Sequence, residues 1–394
     1  MLRHRSWPAR AVAVLLLLGV LALGARFGLA LRGQATGEPE GADALAGLTA
    51  RSGSAVVFSE FGIEADRLWA ANPADPTDRV LLGSAPHAPG FSVFPALSPD
   101  GAQVAYTALP AGASDALSGS MAQLWLLDIA SGDARMLADN VALRIAPVWS
   151  PASDALVVRR DTAEGGELVR VDLSSPSAGS GQDATQTIAA QAAGLYPIDF
   201  SPDGGALYYA TLSQAGTDLM RAPVSSTKAA GAPEPVAHLS DGIARNWHLS
   251  PDGAQLAYLA AAPAGAATAY VAQVLDLKTG AVLTPLGDAA GAQFNPVWDD
   301  SNAITIGGAA GAALRLSVAG GAVARAPLPA PATGFDVPIG WSPDGAFLIV
   351  RAFEGPSPAE PGPSHVVAID ATGGRRSLSP QSDVEIAGWL EAVP

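Results

Sequence analysis

The stretch Trp341-Ser342-Pro343-Asp344-Gly345, followed by Ala346 and the apolar run Phe347-Leu348-Ile349-Val350, reads as a tight turn between two strands. Proline presets φ at the first central turn position, aspartate bonds its own backbone, and glycine accepts the positive φ from which the next strand starts. The stretch recurs as Leu97-Ser98-Pro99-Asp100-Gly101, Trp149-Ser150-Pro151, Phe200-Ser201-Pro202-Asp203-Gly204 and Leu249-Ser250-Pro251-Asp252-Gly253. A degenerate copy, Trp298-Asp299-Asp300-Ser301, fills the remaining gap. Successive copies lie about 52, 51, 49, 49 and 43 residues apart, a period that marks propellers and solenoids.

The same strand signals follow each turn. First comes an apolar run such as Val104-Ala105-Tyr106 or Leu207-Tyr208-Tyr209. A second run often ends in an acidic residue, as in Leu124-Trp125-Leu126-Leu127-Asp128 and Val366-Val367-Ala368-Ile369-Asp370. A short turn such as Lys278-Thr279-Gly280 then leads to a weaker third strand. With the strand before the turn, each repeat supplies four strands, which is one propeller blade. Such three-strand sets start near residues 55, 102, 154, 205, 254, 302 and 346, but the first lacks an inner strand of its own. Val384-Glu385-Ile386-Ala387-Gly388-Trp389 repeats the approach to Trp149 and then stops, so it is predicted to complete the first blade and close the ring. The fold expected is an all-β propeller of seven four-stranded blades. Six remain the alternative if the Gly/Ala-rich repeat at 302–330 packs irregularly.

A chain of 394 residues could hold two or three domains, but a regular repeat makes one closed array the simpler account. With a formal charge of −15 and no Lys/Arg run beyond the first ten residues, nucleic acid is not an expected partner. There is no cysteine, which excludes disulfides, thiolate metal sites and cysteine nucleophiles. The N-terminus carries Arg3, His4, Arg5 and Arg10 ahead of uninterrupted apolar sequence at 11–25. Apolar character resumes after Arg26 to residue 31, long enough to cross a bilayer if Arg26 snorkels. Residues 1–31 therefore read as a signal anchor or a cleaved signal peptide, with the rest of the chain extracytoplasmic in both cases. Residues 32–53 read as a linker with a short helix over 42–48, and residues 54–394 as the propeller.

The strand-(Trp/Phe)-Ser-Pro-Asp-Gly-strand pattern, carried by Ser98, Ser201, Ser250 and Ser342 with their Pro-Asp-Gly neighbours, resembles the WD40-like repeat of TolB-type propellers. It is also similar to the propellers of tricorn-type and prolyl-oligopeptidase-type proteins. The resemblance implies an extracytoplasmic propeller over about residues 54–392 and leaves its ligand open.

No Gly-x-Ser-x-Gly elbow, His-Glu-x-x-His helix, phosphate loop or dinucleotide fingerprint occurs, so no catalytic residue, metal or cofactor is expected. Asp100, Asp203, Asp252 and Asp344 read as turn caps rather than calcium ligands, and Asp128, Asp172, Asp276 and Asp370 as strand-end caps. Trp149, Trp298, Trp341 and Trp389 occupy equivalent places and read as wedges between blades, with carbohydrate stacking as the alternative. Of the five histidines, His248 beside Trp247 is the one expected to be buried.

Residues that differ between repeats are the better functional candidates, because packing does not require them. Arg144, Tyr196, Arg245, Gln293, Asp336 and Glu385 start the inner strands near one mouth of the axial channel, and are the expected ligand- or partner-contacting residues. The function expected is a monomeric, non-catalytic scaffold that binds a protein or peptide of the envelope or a secreted one, held at the membrane by residues 11–31 or released if these are cut. The alternative is a small-ligand receptor, or a hydrolytic or lyase enzyme, using the channel mouth for a sugar or peptide.

Overall fold

Short apolar runs punctuated by tight turns build seven four-stranded antiparallel sheets in the computed structural model. It describes residues 41–391 except 114–120, 163–164, 174–184, 192–193, 225–230, 263–269, 288–292, 301, 309–310 and 319–323. The first sheet holds β1 (Ser54–Glu60), β2 (Ala65–Asn72) and β3 (Asp75–Pro86). The second holds β4 (Phe94–Leu97), β5 (Gln103–Ala108), β6 (Ala122–Asp128) and β7 (Ala134–Val141). The third holds β8 (Val148–Trp149), β9 (Ala155–Thr162), β10 (Gly165–Asp172) and β11 (Thr185–Gln191). The fourth holds β12 (Gly194–Phe200), β13 (Ala206–Ser213), β14 (Gly216–Pro223) and β15 (Glu234–Ser240). The fifth holds β16 (Arg245–Leu249), β17 (Gln255–Ala261), β18 (Tyr270–Asp276) and β19 (Val282–Leu283). The sixth holds β20 (Gln293–Asp300), β21 (Ala303–Gly308), β22 (Leu314–Ser317) and β23 (Ala324–Pro327). The seventh holds β24 (Phe335–Trp341), β25 (Phe347–Phe353), β26 (Ser364–Asp370) and β27 (Arg375–Ser377).

The last strand, β28 (Val384–Glu391), pairs with the inner edge of β1 from Ser54↔Glu391 to Glu60↔Val384. The seven-blade reading and its C-terminal closure therefore hold, and the repeat at 302–330 is a full blade. Each seam between neighbouring blades has its own apolar cluster. Leu124, Leu126 and Trp149 meet Leu156 and Val158 between blades 2 and 3, while Val56 and Phe58 meet Ile349 and Val366 between blades 1 and 7. Both faces of a blade are thus buried, and β1 is covered along its whole length.

The turn sequence explains its own recurrence. Ser98, Ser201, Ser250 and Ser342 each donate Oγ–H to the following aspartate at 2.6–2.7 Å. The same Oγ accepts the backbone N–H five residues on at 2.9 Å, and each aspartate accepts the N–H two residues on at 3.0 Å. Gly101, Gly204, Gly253 and Gly345 hold φ of 68–71°, where a Cβ would be strained. In the Ser-Pro-Ala-Ser-Asp copy, Ser153 takes φ 57° itself and Asp154 accepts from Ser150 at 2.6 Å. Asp128, Asp276 and Asp370 likewise cap backbone N–H groups, whereas Asp172 accepts from Arg170.

The equivalent tryptophans lock blade to blade. Trp149 Nε1 donates to the Ala96 carbonyl at 3.0 Å, Trp298 Nε1 to the His248 carbonyl at 2.8 Å, and Trp341 Nε1 to Thr305 Oγ1 at 2.9 Å, each on the preceding blade. Trp389 packs in the closing seam. A polar clasp secures that seam. Buried Glu60 accepts from Trp69 Nε1 at 3.0 Å, Arg79 Nη1 at 2.9 Å and Ser379 Oγ at 2.5 Å.

Ahead of the first blade, α1 (Gly41–Ser52) extends the helix expected over 42–48 and is docked on blade 1. Leu48 is fully buried in that blade's core, Arg51 pairs with Asp78 at 2.8 Å, and Gly53 ends the helix at φ 76°. The transmembrane or signal segment expected over 11–31 lies outside the described residues. Among the described residues no helix is long and apolar enough to cross a membrane.

Ring closure makes the C-terminus structural. Removing residues 384–394 takes away an entire inner strand with the buried Val384 and Leu390, and is expected to cost at least about 4 kcal/mol of stability. Thermal denaturation followed by circular dichroism checks this, and an unchanged midpoint would contradict closure by β28.

Candidate functional site

Antiparallel connection puts the Ser-Pro-Asp-Gly turns on one face of the ring and the starts of the inner strands on the other. Pairing fixes what points where. In six blades, the inner-strand residue just before the turn pairs with the first apolar residue of the next strand, for example Phe200↔Leu207 and Trp341↔Leu348. Three residues along that second strand, the partners are Phe94, Tyr196, Arg245, Phe294, Val337 and Glu385. These register-equivalent positions are half-buried or exposed, and differ in chemistry from blade to blade. Their immediate predecessors are buried in every case: Val93, Leu195, Ala244, Gln293, Asp336 and Val384 are at most 2 % exposed. A step of one residue along a strand turns a side chain to the other face.

The six residues singled out from sequence divide on this rule. Tyr196, Arg245 and Glu385 stand on the mouth ring. Gln293 and Asp336 stand one residue early and serve the fold. Gln293 Oε1 accepts from Ala272 N at 2.9 Å while its Nε2 donates to the Gly287 carbonyl at 3.0 Å. Asp336 is gripped by both terminal nitrogens of Arg375, at 3.0 and 2.6 Å. Their true ring equivalents are Phe294 and Val337. Arg144 also stands one residue early, but β8 begins only at Val148, so Arg144 lies on the preceding loop and is exposed.

Blades 3 to 5 carry a continuous cationic and aromatic sector. The Arg159 guanidinium lies 5.2 Å from the Tyr196 ring centroid, Tyr196 tilts against Trp247 at 5.8 Å, and Arg245 stacks over Tyr270 at 3.8 Å. The Trp247 Nε1–H is buried with no acceptor among the described residues. Sequence reasoning missed Arg159, Trp247 and Tyr270. The signal that would have found Phe294 and Val337 is their place four residues before Trp298 and Trp341, the spacing that Tyr196 and Arg245 keep from Phe200 and Leu249, since a bulge lengthens the inner strand in most blades; on the unbulged β4, Phe94 stands three before Leu97.

The sector across the ring is acidic. Glu385 lies 3.7 Å from Arg351, whose Nη2 also donates to the Val384 carbonyl at 2.8 Å. Surrounding protein pushes the Glu385 carboxyl above its usual range; Arg351 opposes that push, and Asp383 and Asp66 add to it. Behind it, Asp66 and His87 form a fully buried pair at 2.9 Å, with Asp66 also accepting from Val93 N and Gly62 N. Burial works against a charged His87, but its bonds to Asp66 and to the Ala88 carbonyl prevail and its pKa is raised. His87 at 1 % exposure, rather than His248, is thus the enclosed histidine, because the loop after β3 folds it beneath blade 1.

His248 and Asp199 stand on inner strands, each one residue ahead of the residue that precedes the turn. His248 is half-buried and its Nε2–H donates to Asn295 Oδ1 at 2.9 Å, leaving Asn295 Nδ2 to donate to the Pro338 carbonyl at 2.7 Å. Burial holds its pKa below the usual histidine value. Asp199 is open to channel solvent yet ringed by protein, and this desolvation raises its pKa from 3.8 to about 6 against a bond from Phe200 N. No contact joins two of the described histidines, and no group of three metal-ligating residues gathers among the described residues.

No protein-family model and no curated protein matches the sequence. Solved structures do. Prolyl oligopeptidase B from Galerina marginata aligns at 12 % identity and TM-score 0.56, covering 88 % of this chain and 54 % of that one. A 6-phosphogluconolactonase-type protein from Bacteroides uniformis aligns at 13 % identity and TM-score 0.53, covering 85 % and 99 %. TolB from Acinetobacter baumannii aligns at 15 % identity and TM-score 0.49, covering 85 % and 67 %. The chain spans about half the length of the prolyl oligopeptidase it matches. At these identities the likeness shows the propeller fold and nothing of its use.

Two measurements separate the parts of this face. Asp336→Asn strips Arg375 of its charged partner and is expected to cost about 3 kcal/mol, whereas Arg245→Ala at the exposed mouth leaves stability within about 0.5 kcal/mol. Chemical denaturation of both variants checks the difference. A carboxyl whose folded pKa is raised favours folding when protonated, so the Asp199 contribution is intact below about pH 4 and is lost as pH rises to about 6. The melting temperature of Asp199→Asn relative to the parent is therefore expected to climb between pH 4 and 6 and level off above.

Proposed function

We propose that this chain is an extracytoplasmic β-propeller scaffold that engages a peptide segment of an envelope or secreted protein across the mouth where its inner strands start. In this reading residues 1–31 export the chain and either anchor it or are cut away, 32–53 lead to the ring, and the propeller from residue 54 presents the mouth. The observation that carries it is the non-repeating ring of Phe94, Tyr196, Arg245, Phe294, Val337 and Glu385 on an otherwise repetitive frame. Packing asks for apolar bulk at the places just before the turns, where Leu, Phe and Trp alternate. Where the type varies and the side chain is not enclosed, the fold leaves the choice free. Aromatic rings beside arginines are the composition of protein-contact hot spots. Exposed Ile63 and Ile243 lie on loops of the same face and add apolar contacts around the mouth.

A second reading, a small-ligand receptor or hydrolytic enzyme working in the channel, draws support from Asp199 and its pKa of about 6, suited to proton transfer near neutrality.

Peptide selection on the immobilised full chain distinguishes the two. The scaffold reading expects enriched peptides whose binding falls at least about tenfold in Tyr196→Ala and Arg245→Ala, while Asp199→Asn binds as the parent does. Failure to enrich any peptide, together with thermal stabilisation by a sugar or metabolite that Asp199→Asn abolishes, would replace the scaffold with the channel reading.

A further inference from the structure

The mouth is not electrically uniform, and two of its exposed arginines stand on blades 3 and 5 without a carboxylate. Nine described arginines sit in ion pairs with carboxylates, as befits a chain carrying a net −15. Arg144, Arg245 and the half-buried Arg67 of blade 1 do not: among the described residues none of these guanidiniums has a hydrogen-bond or ion-pair partner, and Arg144 and Arg245 are exposed at the inner-strand starts of blades 3 and 5. Arg160, at the same end of blade 3, has a buried Nε without a partner.

The groups between these arginines suit the same ligand. Tyr196 and Trp247 form an aromatic wall, their ring centroids 5.8 Å apart. Arg245 is held flat on Tyr270, which fixes the fork of donors that a carboxylate meets in bidentate fashion. The Glu385 and Asp383 sector on blade 1 lies two seams from Arg144 and three from Arg245 in a ring of seven, and repels a like charge there. Charge would thus set which way a bound segment lies across the mouth.

Resting on the peptide-scaffold reading above, we infer that the recognised segment is acidic: it places a side-chain or C-terminal carboxylate between Arg144 and Arg245, with an adjoining apolar or aromatic residue against Tyr196 and Trp247. A protein segment is favoured over a polyanion such as nucleic acid because the cationic sector is confined to a few residues beside aromatic surface, on a strongly acidic molecule.

The test uses the purified full chain and two fluorescent decapeptides, one carrying two glutamates beside a phenylalanine and one with glutamines in their place, read by anisotropy. The acidic peptide is expected to bind at least about tenfold more tightly at low salt, with the advantage shrinking at high salt. Arg144→Gln and Arg245→Gln should each remove most of that advantage without moving the melting temperature. Equal binding of both peptides would overturn the acidic preference and leave the scaffold reading standing. An acidic advantage that survives both substitutions would overturn the assignment to this sector. Binding of neither peptide, alongside tight binding of inorganic polyphosphate that the same substitutions weaken, would overturn both the peptide ligand and the scaffold reading.

Discussion

A blade of this propeller has no core of its own; it buries each face only against a neighbour, so the ring has to close before any seam is complete. Closure falls to one pairing, β28 against β1, between strands more than 300 residues apart in the chain. The surrounding chemistry is arranged to hold that pairing. Glu60 gathers Trp69, Arg79 and Ser379 across the join, and Arg351 of blade 7 reaches the carbonyls of Ser382 and Val384 as the last strand begins. Elsewhere a covalent turn carries the chain from one blade to the next, and tryptophan N–H groups add a bond across three of the seams.

The same closure sets up the mouth. Once the inner strands stand side by side, their register decides which residues point into the blades and which reach the opening. The bulge in most inner strands re-aims the chain, so the residue four places before the one that precedes the turn is less enclosed while its predecessor is buried. This is why Asp336 is spent on Arg375 and Gln293 on two backbone groups, while Tyr196, Arg245 and Glu385 remain available. On the inner strand of blade 4, Asp199 is exposed yet surrounded by protein, and its charged form is disfavoured.

The sequence was most legible where chemistry repeats. Ser, Pro, Asp and Gly each satisfy a separate demand of the same turn, so their recurrence announced the blade, and the lone echo at Trp389 announced closure. Tryptophans at equivalent places could be read as wedges because equivalence itself points to packing. The mouth was half legible. Variation between repeats singled out positions at the starts of the inner strands, but apolar patterning on an inner strand is too short to show which of them is enclosed: Gln293 and Asp336 are buried, and the half-buried residues are their successors Phe294 and Val337. Contacts between distant segments were not legible at all. The Asp66–His87 pair joins residues on separate strands, and nothing local marks either as enclosed. Nor did the stretch before residue 54 reveal that its helix docks through Leu48.

Native-state hydrogen exchange of the β28 amides tests the closed ring most directly. If this strand completes the first blade, its amides are protected to the same degree as those of an interior strand such as β13, and open only with the whole propeller. Exchange of β28 at the rate of a frayed chain end, while β13 stays protected, would contradict closure and with it the geometry of the mouth.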